Sequence, residues 1–138
     1  MIETIEAEGK VLAMVLRSGH ESQGVQFFSH PEYPLQLGLL QHPKGTRLKP
    51  HIHTSITKTI NNIQEVLHLE YGQIEVEFFR ASGQRVASCL LNGGDTILLV
   101  SGGHGFRILE ETKMLEIKQG PYESREKDKE YLRVESNG

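Results

Sequence analysis

What most constrains this sequence is how its apolar residues are cut into short pieces. Runs of β-branched and aromatic residues recur every few positions, each closed by Gly, Pro, Asn or Ser, and no stretch sustains a helical repeat. Such a chain pairs strands, so it is expected to fold as an all-β sandwich or barrel. The strand candidates, in order, are residues 10–17, 24–28, 34–41, 63–69, 73–79, 85–91, 96–100, 104–109 and 112–119. The first two read as an outer lip of the sheet.

Some runs declare their faces. Ile74, Val76 and Phe78 alternate with Gln73, Glu75 and Glu77, which predicts one apolar and one wet side. Residues 34–41 are apolar at nearly every position, which predicts a strand covered on both faces. Residues 123–129 are almost entirely charged and predict a helical turn or a mobile tail over the core. No internal repeat at a fixed period is present.

A chain of 138 residues is long enough to bury one core without staples, so a single domain over 1–138 is expected. With 15 Lys and Arg against 18 Asp and Glu, and a net charge of −3, no basic excess exists to attract a phosphate backbone. Nucleic acid is not an expected partner. Cys89 is the only cysteine, which excludes an internal disulfide and a thiolate zinc site and favours a cytoplasmic protein. The first residues carry acidic groups and no basic leader, and no apolar run reaches membrane-spanning length, so no membrane partner is expected.

The chemistry concentrates in histidines. His51 and His53 flank Ile52 and would project to one side of an extended chain. Glu65 opens the next extended run, which Gly72 closes with a tight turn. Farther on, Gly93-Gly94-Asp95 precedes an apolar run, and Ser101-Gly102-Gly103-His104 supplies a further imidazole. Imidazole nitrogens with one carboxylate suit Fe, Mn, Ni, Co or Zn, whereas Mg and Ca favour oxygen ligands.

These residues resemble the two motifs of the cupins: a glycine (Gly45), a His-x-His (His51, His53), a glutamate (Glu65) and a closing glycine (Gly72), then a glycine-led turn ending in histidine (Gly94 to His104). The resemblance covers roughly residues 35–119 and departs from the family pattern in two places. Eleven residues separate His53 from Glu65, and Val100 stands where proline is usual. The long spacing reads as a hairpin with arms at 57–60 and 63–69, turning at Asn61-Asn62.

The resemblance implies a double-stranded β-helix, the cupin jelly-roll barrel, as a core at 35–119 between N-terminal strands at 1–34 and a charged tail at 120–138. It implies one divalent transition metal held by His51, His53, Glu65 and His104. Lys58, between the ligand groups, and Gln119 and Tyr122, at the rim, are candidates to touch a small-molecule ligand. His68 is read as outward, His20 and His30 as solvated, His42 as surface or supporting, and Cys89 as a small buried hydrophobe.

The implied function is a metalloenzyme acting on a small oxygen-rich organic substrate, by dioxygenase-type or isomerase/epimerase-type chemistry. The alternative is a cupin that binds or senses a metal or metabolite without turnover. A third reading, action on nucleotide-linked sugars, wants an aromatic platform that a chain with no Trp supplies poorly. Open edge strands predict a homodimer.

Overall fold

The computed structural model describes residues 2–134. Met1 and the end of the expected charged tail, 135–138, lie outside the described residues. Regular structure consists of β1 (Ile2–Ala7), β2 (Lys10–Leu16), β3 (Gly24–Phe27), β4 (Gly38–Gln41), β5 (Glu65–Tyr71), β6 (Gln73–Phe79), β7 (Arg85–Asn92), β8 (Thr96–Leu99), β9 (Gly103–Ile108), β10 (Lys113–Lys118) and the single-turn helix α1 (Arg125–Asp128). The all-β class expected from the sequence is the class observed. Every pairing is antiparallel. The strands form a five-stranded sheet in the order β1-β2-β8-β5-β10, a three-stranded sheet β7-β6-β9 and the β3-β4 hairpin, which do not close into one ladder.

The two larger sheets face each other across the main core. Ala13 and Val15 of β2, Leu67 and Leu69 of β5, and Ile97 and Leu99 of β8 meet Ile74, Val76 and Phe78 of β6 and Leu91 of β7. The β6 alternation falls as its sequence predicts, with Ile74, Val76 and Phe78 all within 1 % of fully buried. On its outer side Glu75 pairs with Arg85 (3.3 Å) and Arg107 (3.2 Å), cross-strand pairs that keep that face wet.

Three expectations are corrected. Residues 10–17 are no outer lip, because β2 lies between β1 and β8. A bulge opposite Ile5 and Glu6 resets its alternation, so Leu12 and Ala13 both enter the main core. Its other face, with Met14, packs under Leu37, Phe28, Tyr33 and Leu35.

Residues 34–41 are strand only at 38–41. Upstream, Pro31 and Pro34 lack a backbone donor, and side chains take over the hydrogen bonding. Gln36 Nε2 donates to the carbonyls of His30 (2.9 Å) and Tyr33 (2.8 Å), while the Ser29 hydroxyl accepts from Leu37 N (2.9 Å).

The hairpin expected from 57–60 and 63–69 does not form, and residues 46–64 contain no strand. The reason is occupancy: β5 is flanked by β8 on one side and β10 on the other, so both of its ladders are filled. The segment runs over the surface with Ile52 91 % and Ile56 70 % exposed.

At the other end of the chain the charged run does form a helical turn. Ser124 caps α1 by accepting from Lys127 N, and Lys118 Nζ meets Asp128 at 2.8 Å. No helix among the described residues is long and apolar enough to cross a membrane.

Candidate metal centre

Register decides which side chains enter the space between the sheets. On β5, Glu65 shares its face with the core residues Leu67 and Leu69, and its start is fastened where the Gln64 backbone N–H donates to Gln119 Oε1 (2.8 Å). On β9, His104 pairs with Phe78 and shares its face with Phe106, which packs on the same core. The two sheets thereby bring Glu65 Oε1 and His104 Nε2 to 3.8 Å, with the side chains 20 % and 28 % exposed.

Neither group carries charge easily there. Burial, reinforced by the neighbouring Glu116 carboxyl, pushes Glu65 up to about 7, and burial holds His104 below its ordinary range. Glu65 thus holds its proton toward neutrality, beside an imidazole whose charging burial disfavours. A divalent cation is one agent that would displace the Glu65 proton.

Glu116 escaped the sequence reading, and so did the role of its neighbours. In β10 Met114, Glu116 and Lys118 lie opposite Leu69, Leu67 and Glu65 and so take the same side of the sheet as Glu65, while Leu115 and Ile117 are half exposed on the other. Of these only Met114 packs on the core; Glu116 is exposed and Lys118 reaches out to Asp128. The side that Glu116 takes follows from which strand β10 pairs with, which nothing local in the sequence announces.

His51 and His53 lie together on the 46–64 segment, ring centroids 5.1 Å apart and planes at 69°. They share a side as expected, though not on a strand. His51 Nδ1 donates to the Lys49 carbonyl (3.0 Å), which leaves Nε2 with the free lone pair.

The four implied ligands thus stand as two pairs, His51 with His53 and Glu65 with His104. Among the described residues no three His, Cys, Asp or Glu side chains are close enough to hold an ion together. Lys58 is exposed on the same segment as the first pair. Gln119 is engaged with Gln64, and Tyr122, 61 % exposed, lies with its ring centroid 5.4 Å from Lys118 Nζ.

Other histidines and the cysteine have local explanations. His68 sits on the face opposite Glu65, 2.8 Å from Thr96 Oγ1. Burial pushes the Cys89 thiol up to about 11, which keeps it protonated and unreactive near neutrality. A cavity of about 30 Å³ touches Glu65 and His104 and is walled by Ile63, Leu99 and Ser101. Compared with known protein families, with curated proteins and with solved structures, the chain finds no match.

Proposed function

We propose that this chain is a cupin-type β-helix that holds one divalent transition metal, drawn from Fe, Mn, Ni, Co or Zn, through His51, His53, Glu65 and His104. The observation that carries this reading is the meeting of Glu65 and His104 at 3.8 Å from two different sheets. The donor chemistry fits: neutral imidazoles and a carboxylate reluctant to stay charged gain by sharing a cation. Capture then requires the 46–64 segment to deliver His51 and His53 to the inward pair, and its lack of strand pairing leaves it free to do so.

Bound there, the metal would supply Lewis-acid or redox chemistry toward a small oxygen-rich organic molecule, of dioxygenase or isomerase/epimerase type. The chain's own residues would hold and orient that molecule. Lys58 rides on the closing segment, Gln119 and Tyr122 stand at the rim, and Glu116 adjoins Glu65. We place the protein in the cytoplasm, as a homodimer that covers the exposed Leu115 and Ile117 of the edge strand β10. Sedimentation equilibrium giving a monomer mass at high concentration would reject the dimer.

A second reading, a metal-binding or sensing module without turnover, draws on one observation. The 30 Å³ cavity beside Glu65 and His104 has room for an ion or a water but not for an organic substrate. Elemental analysis of protein purified without added metal tests the common part. One equivalent in the wild type and its loss in His104→Ala supports a metal centre; unchanged content in both rejects it. Oxygen uptake and product analysis across hydroxy acids, diketones, thiols and sugars then separates enzyme from sensor.

A further inference from the structure

A larger cavity, of about 410 Å³, opens elsewhere, between the 30–34 loop and the chain at 62–64 and 100–101. Its lining includes His30, Glu32, Tyr33, Asn62, Gln64 and Ser101. Neither Glu65 nor His104 borders it. Along 62–65 successive residues go to opposite sides: Asn62 and Gln64 line this cavity, whereas Ile63 and Glu65 line the small one at the metal centre. The chain at 62–65 divides the two spaces, and Val100 and Ser101 border both.

Gln64 is the informative residue. It is only 1 % exposed, yet its Oε1 has no hydrogen-bond partner among the described residues, while Nε2 lies 3.5 Å from the Val100 carbonyl. A buried amide oxygen left unpaired is costly, so Gln64 Oε1 lacks a donor; Gln119 Nε2, on the residue that accepts from Gln64 N, is buried and unpaired as well. The opposite wall is preformed, since Gln36 ties down the carbonyls of His30, Pro31 and Tyr33. His30 Nδ1 accepts from the Glu32 N–H (3.2 Å), which fixes the ring beside the cavity. Glu32 is the one acid among the lining residues, and no Lys or Arg is among them.

We propose that this cavity is a second binding site, independent of the metal centre, for a small primary amine in its ammonium form. The ammonium donates to Gln64 Oε1 and to the Glu32 carboxylate, and its carbon skeleton lies against Tyr33, Pro34 and Val100. The volume suits a molecule of one ring and a short arm.

The test is a ¹H–¹⁵N NMR titration of the full chain with benzylammonium, benzyl alcohol and benzoate, three probes of one shape and different charge. Benzylammonium is expected to shift the signals of residues 30–34, 62–64 and 100–101 saturably. Benzyl alcohol should bind about tenfold more weakly, the usual margin of a charge-assisted hydrogen bond, and benzoate should not saturate. Glu32→Gln, an exposed position, and Gln64→Leu should each weaken the ammonium about tenfold. If Gln64→Leu fails to fold, Glu32→Gln decides alone. His104→Ala should leave the titration unchanged, so failure here and failure of the metal reading are told apart. Equal shifts from all three probes, no saturation, or indifference to Glu32→Gln would mean that the cavity holds water only and would overturn the proposal.

Discussion

The two halves of the candidate metal centre are built in opposite ways. Glu65 and His104 sit on strands whose neighbours are buried core residues, so their separation is set by the distance between two packed sheets. His51 and His53 sit on a segment without ladder partners, whose apolar side chains are left in solvent. The first pair is positioned by the fold and the second only by its own short spacing. A site assembled from such unequal halves spends stability on one side and keeps freedom on the other.

That contrast can be broken at its strongest point first. Phe78→Ala, which removes the largest of the fully buried side chains from the position paired with His104, should destabilise the protein by about 3–5 kcal/mol. Ile52→Ala, between the two loop histidines, should change it by less than about 0.5 kcal/mol. Denaturant unfolding of both variants measures the gap, and equal losses would mean that the segment is as much a part of the packed structure as β6.

Two glycines that flank the candidate ligands sharpen the same comparison. Gly72 has φ +107°, and a Cβ there would lie 2.2 Å from Thr112 Oγ1 and 2.5 Å from the Glu111 carbonyl. Gly45 has φ +91° and open space around it. Gly72→Ala should therefore cost about 2–4 kcal/mol, from backbone strain plus a collision that the chain must move to relieve, and Gly45→Ala about 1–2 kcal/mol from strain alone.

A further expected effect is electrostatic and confined to the strand-borne half. Because the folded-state value of Glu65 is raised from 4.5 to about 7, the metal-free protein is favoured below the ordinary carboxylate range and loses that advantage as pH rises through 7. Glu65→Gln removes the liability. The variant should be more stable than the wild type by about 1–3 kcal/mol at alkaline pH, with the difference fading under acid conditions. Thermal melts across pH check this, and a constant difference would show that Glu65 is not held against ionisation.

Much of the framework was legible because alternation reports faces directly. The β6 pattern of Ile74, Val76 and Phe78 specified both its existence and its buried side. What escaped were properties that depend on which strands end up adjacent. Residues 10–17 read as a strand, but nothing local says that β8 will pair with it and a bulge will carry Leu12 inward. The hairpin expected from 57–60 failed for the same reason, since the partner slot beside Glu65 is taken by residues more than thirty positions away. Of the candidate ligands, His51, His53, Glu65 and His104 came from the resemblance of their motifs to those of the cupins, whereas Glu116 was hidden until register set β10 beside Glu65.

The claim that the two pairs form one site is tested most directly by a double-mutant cycle on Co²⁺ affinity, measured by calorimetry at mildly alkaline pH for the wild type, His53→Ala, His104→Ala and the double variant. If a single ion joins both halves, each single change should weaken binding at least about tenfold, and the two should couple by at least about 1 kcal/mol. Strictly additive losses, or a His53→Ala variant that binds Co²⁺ like the wild type, would contradict the account.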